Sequence, residues 1–380
     1  MGLPRIDIQF KTLAATAIKR SERGTVALIL EDDTSYSNPI EMDGINDMPK
    51  DLSDASKEQI QLAFMGGVKS PRKVIAYIIP EGTGETSADY TEAQNYLETI
   101  IWDYLAVPQI KSSDVMAMAT WVKGLRDNKN MEVKAVLPSC KADHEAVINC
   151  TVQKIITAAA DTYDSGSDYD GGSKYGKEYT AADYCSRIAG IAAGCPLTMS
   201  ITFQVLPEVA DVLPHMTVEE YDEAIDNGEL VLINDGEKVK IARGVNSLTT
   251  TSADKGEDWK KIAIVDKMDL WRRDVTRTIA DNYIGKYNNT YENKRLLIAA
   301  IQAYNDSLAA EGVLDDSLPE YNNVAIDIEA QRLFLKSMGV KVEDMDEQQI
   351  KQANTKSSVF ITSNPKYLDA MEDMKISVAM

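Results

Sequence analysis

Short apolar, β-branched runs alternating with stretches of helical periodicity restrict the fold of this chain more than any other feature. Residues 25–30 (TVALIL), 74–79 (VIAYII) and 131–137 (MEVKAVL) read as strands, the first of them buried. Helix candidates lie near 55–65, 88–105 and 112–127, and in the second of these Ala93, Leu97, Ile100, Ile101 and Tyr104 recur at helical spacing. Strands that alternate with helices predict an α/β fold with a layered sheet.

Beyond this core the pattern continues. Residues 31–53 are polar and turn-rich, 146–157 are strand-like, and 161–179 (DTYDSGSDYDGGSKYGKEY) form a loop without periodicity. A helix is expected over about 180–193, a strand over 199–206, and a helix over 217–227 with Thr217 as N-cap and Glu220 three residues on. Residues 231–233 and 238–241 flank Asn234-Asp235-Gly236, a hairpin signal. The polar stretch 249–258 marks a boundary. Past it come a strand over 262–265, a helix with Met268, Trp271, Val275, Ile279 and Tyr283 on one stripe, and a second helix with Leu297, Ala300, Ile301, Tyr304 and Leu308. A third helix, over about 325–337, is stopped by Gly339.

The two ends carry a different signal. Ile6, Ile8 and Phe10 alternate with Asp7, Gln9 and Lys11, and Met374, Ile376, Val378 and Met380 alternate with Lys375, Ser377 and Ala379. Both ends read as amphipathic strands, and a terminal strand must pair with an edge. Either it closes its own sheet or it is lent to a second copy by β-augmentation, and two such ends in one chain favour exchange. The most strand-like acceptor is residues 358–362 (SVFIT), with Val359 and Ile361 on one face.

Sixty acidic against 40 basic residues give a net charge of −20, which disfavours nucleic acid and anionic membranes as partners. Residues 1–24 run against this, with five basic and two acidic side chains and a local charge of +3, so a basic arm on an acidic body can be steered to another copy. A length of 380 residues, 44% hydrophobic and 26% charged, predicts two or three globular domains. The chain starts without the pattern of a signal peptide and has no apolar run near the roughly 18 residues of a membrane span, so a soluble protein is expected. Cys140, Cys150, Cys185 and Cys195 are widely spaced without CxxC, which predicts buried thiols in a reducing cytoplasm.

Catalytic patterns are sparse. The two histidines, His144 and His215, lie in no nucleophile motif, and GxSxG, HExxH and GxxxxGK[ST] are absent. His215 follows Pro214 at a predicted helix start, where a surface or capping role is expected. Gly82 and Gly84 sit between a strand and a helix, but Glu81 and Glu85 flank them and would repel a phosphate. Asp168, Asp170, Gly171 and Gly172 suggest a calcium loop, yet in that register the sixth position is Ser173 and the twelfth Tyr179, so the expected Gly and bidentate Glu are missing. Neither cofactor, metal nor catalytic residue is assigned.

Five stretches, in order, resemble the contractile tail sheath proteins of phages and phage-derived bacteriocins, in the compact form of Gram-positive systems. They are residues 20–30 (RSERGTVALIL), 179–202 (YTAADYCSRIAGIAAGCPLTMSIT), 244–250 (GVNSLTT), 281–294 (DNYIGKYNNTYENK) and 325–339 (AIDIEAQRLFLKSMG). The resemblance implies a subtilisin-like α/β domain over 25–250, without protease activity, and a C-terminal α+β domain over 251–355 that lines a tube. An N-terminal arm over 1–24 and a C-terminal strand and arm over 356–380 complete the subunit. It implies a homo-oligomer of stacked six-fold rings around a tail tube, with baseplate and terminator proteins as further partners, assembled in a bacterial cytoplasm into a virion tail or bacteriocin particle. Lys336 and Lys341 are the tube-facing candidates, near Asp344, Asp346 and Glu347; a solvated or intersubunit face is the other reading. An α/β hydrolytic enzyme and another self-assembling shell or filament protein are the competing functional readings.

Overall fold

A computed structural model describes residues 17–32, 36–81, 88–158 and 175–379. The chain divides into two compact units: a larger one of residues 22–270 with 369–380, and a smaller one of 1–21 with 271–368.

The larger unit is built on strands β1 (Thr25–Glu31), β2 (Ile40–Met42), β3 (Lys73–Ile79), β4 (Tyr104–Ala106), β5 (Lys134–Pro138), β6 (Val147–Cys150) and, further along the chain, the short Glu229–Leu230 strand. Helices α1 (Asp54–Met65), α2 (Thr91–Leu97), α3 (Val115–Lys129) and α4 (Ala181–Gly194) cover it. The seven-stranded sheet runs Glu229–Leu230, β6, β5, β4, β1, β3, β2. Every pairing is parallel except β2 on β3. Alternation along the strands produces the layers. Val26, Leu28 and Leu30 face one side with Ile60 and Ala63 of α1 and Ile188 and Ala189 of α4. Ala27 and Ile29 face the other with Leu97 of α2 and Met118 and Val122 of α3. Gly190 permits the close α1–α4 crossing, because a Cβ there would lie 2.0 Å from the Ala63 carbonyl oxygen.

Around this sheet lie a three-stranded antiparallel sheet, β7 (Lys154–Ala158) between β8 (Tyr175–Tyr179) and β9 (Val209–Leu213), and helix α5 (Val218–Asp226). After the Glu229–Leu230 strand, β10, comes the hairpin β11 (Leu232–Asn234) and β12 (Val239–Ile241), as the Asp-Gly signal predicts. Thr217 and Glu220 form the predicted capping box of α5.

Several expectations are corrected. The helix expected over 88–105 ends at Leu97. Asp103 then accepts the Gly24 and Thr25 N–H groups at 2.7 and 2.9 Å, and Tyr104 joins the sheet instead of the helical stripe. Residues 146–157 are two strands in different sheets, the turn-rich 31–53 contains β2, and 175–179 is strand rather than loop. Residues 199–206 form turns with one isolated bridge, Val205 to Lys240, because the Ser200 and Thr202 side chains bond locally. Residues 262–265 are not a strand but the start of a 21-residue helix, α6 (Ile262–Asn282).

The division between the units falls inside α6, between Leu270 and Trp271. The smaller unit continues through α7 (Tyr291–Ala310), β13 (Val324–Ile326), α8 (Ile328–Ser337), α9 (Glu347–Gln352) and β14 (Ile361–Ser363). Leu297, Ala300, Ile301, Tyr304 and Leu308 are buried on one face of α7, as the periodicity predicts. Strand and helix share the predicted 325–337 segment: β13 pairs antiparallel with β14, then Asp327 caps α8. Gly339, at φ +79°, follows its end.

Candidate assembly surfaces

The C-terminal tail has a docked root and an open end. Asp369 pairs with Lys261, and Asp373 with Arg243. Between them Glu372, its side chain only 7% exposed, accepts hydrogen bonds from Ser200 Oγ at 2.8 Å, Thr202 Oγ1, and Arg243 Nε at 3.2 Å. The cradle is locally built: Thr202 N–H donates to Ser200 Oγ at 3.1 Å and Gly244 N–H to Thr202 Oγ1 at 2.9 Å. Any side chain at Gly244 would crowd it, with a Cβ 2.9 Å from Ile201 Cγ1. From Met374 to Ala379 no hydrogen bond or ion pair to another described residue holds the chain. Met374, Ile376 and Val378 are 75%, 81% and 80% exposed and belong to no helix or strand.

Of the N-terminal arm, Ile6, Ile8 and Phe10 lie outside the described residues. Two of its basic side chains are engaged within their own chain. Arg20 pairs with Glu311 in the smaller unit. Arg23 pairs with Asp266 and donates to the Cys195 carbonyl at 2.8 Å in the larger. Steering of another copy therefore does not rest on these two charges.

In the smaller unit, Ile361 opens β14 opposite Ile326 of β13, while Val359 precedes the strand and is exposed. Val359 borders an open cavity of about 630 Å³ with Ile279, Tyr283, Ile284 and Leu297. Lys294 also lines it, buried and donating to Gln331 Oε1 and Thr355 Oγ1 at 3.3 and 3.1 Å; burial pushes its pKa down. Lys336 and Lys341 are exposed at the end of α8 and beyond it, with Lys336 4.0 Å from Glu343. The same helix exposes Leu333.

The larger unit also holds a buried charge cluster that the sequence did not announce. Arg126 meets Asp269 at 2.5 Å and Glu145 at 3.2 Å, and Lys134 meets Asp266 at 3.0 Å and also Asp269. Tyr104 donates to Asp266 at 2.6 Å. Burial alone would raise the Asp269 pKa, but Lys134 and Arg126 hold it well below the usual carboxylate range. Such a cluster adds little net stability, since each charge is desolvated before it is paired.

Among the described residues, neither histidine ring is hydrogen-bonded to a nucleophile. His144 Nδ1 accepts the Ala146 N–H at 3.0 Å, which leaves the ring proton on Nε2, 3.3 Å from Asp127. The Ser247 hydroxyl donates to the His144 carbonyl, not to the ring. His215 is exposed and meets Asp211 at 2.9 Å. All four cysteines are free and buried, and burial pushes the Cys140 and Cys195 thiols up to about 11. Among the described residues, no group of three or more His, Cys, Asp or Glu side chains could hold a metal ion, and no helix is long and apolar enough to cross a membrane. The Asp168 loop and the Gly82–Gly84 turn lie outside the described residues.

The phage tail sheath protein central domain matches residues 83–247, and the phage tail sheath C-terminal domain matches residues 254–380. A tail sheath protein of Clostridium phage phiCD119 is 36% identical over 384 aligned residues, taking in 100% of this chain and 99% of that one. The chain belongs to the phage tail sheath family. It is a structural sheath subunit. Its fold is shared with solved sheath structures at low identity. A sheath tail protein from Desulfitobacterium hafniense superposes with a TM-score of 0.67 at 17% identity, over 85% of this chain and 93% of that chain. The helical sheath of the anti-feeding prophage in its contracted state gives a TM-score of 0.70 at 14% identity, over 100% and 99%. The two family domains meet near residue 250, whereas packing divides the chain at residue 270, inside α6. The residues that cradle Glu372 fall within two of the stretches that carry the sequence resemblance, 179–202 and 244–250, apart from Arg243, which directly precedes the second.

Proposed function

We propose that this sheath subunit polymerises into stacked six-fold rings around a tail tube, and that contraction of the stack drives the tube through a target cell envelope. Arms at both ends, 1–24 and 356–380, link the copies, while 25–250 form the α/β body and 251–355 face the tube. The work is mechanical rather than catalytic. Partners are further copies, the tube protein, and the baseplate and terminator proteins of a virion tail or bacteriocin particle assembled in the host cytoplasm.

The observation that carries this reading is the open tail. Met374, Ile376 and Val378 alternate as on one face of a strand and lie in water. Burying each is worth roughly 1.5 to 3 kcal/mol, against about 1 to 2 kcal/mol per residue for ordering the backbone, so docking needs a prepared edge. The β13–β14 pair offers one, since each strand has a single partner among the described residues. Many weak links per particle then multiply through valency.

Negative-stain imaging of the purified protein, alone and with its tube protein, tests the proposal. Hollow helical tubes or short sheaths are the expected result. A protein that stays monomeric across concentration and salt, with the tube present, overturns it.

A further inference from the structure

We propose that Ser200, Thr202, Arg243 and Lys261 form a clamp on the root of the C-terminal tail, with Glu372 as its positioning residue, and that this clamp sets where the donated strand leaves the subunit. The inference rests on the arm reading above and deepens it.

Three observations meet at this site. The Glu372 side chain is carried almost wholly out of water, and a carboxylate is taken out of water only where donors replace its hydration. Two hydroxyls and a guanidinium do so here, with Lys261 Nζ at 3.9 Å. The flanking Asp369 and Asp373 each take one of the same two cations, so the root is held at three points over five residues. Release is abrupt: Glu372 is held and Met374, two residues on, is 75% exposed. A root fixed this close to a free strand confines the strand to a small volume. Freeing residues 369–373 lengthens the tether and spreads the same strand through a larger one, and effective concentration falls roughly as the −3/2 power of tether length. The clamp therefore acts on the donated strand without touching it.

The experiment uses the full chain with its tube protein and compares Glu372→Gln, Thr202→Val and Thr202→Ser with the parent and with a chain ending at Asp373. Sheath formation is read by sedimentation, the fold by thermal unfolding, and tail order by a spin label at position 377. Glu372→Gln and Thr202→Val are expected to raise the concentration needed for assembly about tenfold and to sharpen the label's spectrum, with the melting temperature unchanged. Thr202→Ser, which keeps the hydroxyl, is expected to behave as the parent. If both clamp variants assemble at the parental concentration while the shortened chain does not, the clamp has no positioning role and the arm reading stands. Loss of assembly together with a lowered melting temperature in both makes the contacts merely structural and also overturns the inference. If the shortened chain assembles normally, the arm reading itself fails.

Discussion

The seven-stranded sheet and the β13–β14 pair are built from similar residues and end in opposite states. In the first, β1 has a partner on each side and apolar cover on both faces, so Thr25, Val26, Ala27, Leu28, Ile29 and Leu30 are all buried. In the second, two three-residue strands have each other as their one strand partner among the described residues, and none of Ile361, Thr362 and Ser363 is buried. A parallel sheet between helices is finished within one chain, whereas a lone two-stranded ribbon is marginal in water and keeps open edges, although here the Val324 N–H of β13 is taken up by Gln302 Oε1 at 3.0 Å. On the proposed arm exchange, the sheet of the larger unit is complete in itself, while the β13–β14 pair and the tail carried by the larger unit hold what a second copy would complete.

The comparison breaks most sharply if the two regions can be disabled separately. A chain ending at Asp373 is expected to be folded and soluble by circular dichroism and to form no sheath by electron microscopy; collapse of its secondary structure would show that the tail belongs to the subunit's own core. Leu28→Ala is the opposite case. Leu28 is fully buried between β3 and β4, so its truncation is expected to destabilise the subunit by about 2–5 kcal/mol in urea unfolding. Below the resulting unfolding midpoint, assembly is expected to persist. Loss of assembly at full folding would mean that the body, not the tail, sets the links.

How much of this was legible follows from the same contrast. The buried strands and the helices of the body could be read because a sheet covered on both faces leaves continuous apolar runs, as in residues 25–30 and 74–79. The capping box of Thr217 and the Asp-Gly hairpin are local, so the sequence states them outright. What misled was competition from distant partners. Ile100, Ile101 and Tyr104 fit a helical stripe, but Asp103 is tied to Gly24 and Thr25 from another strand. Ile262, Ile264 and Val265 have strand-like propensity, yet they open α6 and are buried there. The Glu372 cradle joins residues more than a hundred positions apart, and only its Gly244, where a Cβ would meet the Ile201 side chain at 2.9 Å, left a local trace.

A smaller effect sharpens the comparison within the smaller unit. Lys336 and Lys341 are exposed and carry no buried contact, so reversing both to Glu is expected to leave thermal unfolding within about 0.5 kcal/mol of the parent. If α8 faces the tube, the same reversal lowers the yield of tube-bound sheath while tube-free polymers form as before. An unchanged yield of tube-bound sheath removes these two lysines from the tube-facing surface.

The smallest effect belongs to the body alone. His144 is buried against Asp127, Glu145 and, through Glu145, Lys255. Burial holds its pKa below the ordinary 6.5, outweighing the two carboxylates that would raise it. The sign follows from which state takes the proton first. As pH falls through 6.5 the unfolded chain is protonated while the folded His144 stays neutral, so stability is lost from about 6.5 down to the folded pKa and is unaffected above. The loss is at most about 1.4 kcal/mol per pH unit. His144→Asn keeps an acceptor for the Ala146 N–H and removes the titration. Urea midpoints at pH 7.5 and 5.5 are expected to fall further for the parent than for His144→Asn, and equal falls would mean that this imidazole is not held neutral. Assembly at pH 7.5 is expected to be the same for both proteins, because on the proposed arm exchange the links depend on the tail and the β13–β14 pair, and His144 belongs to neither.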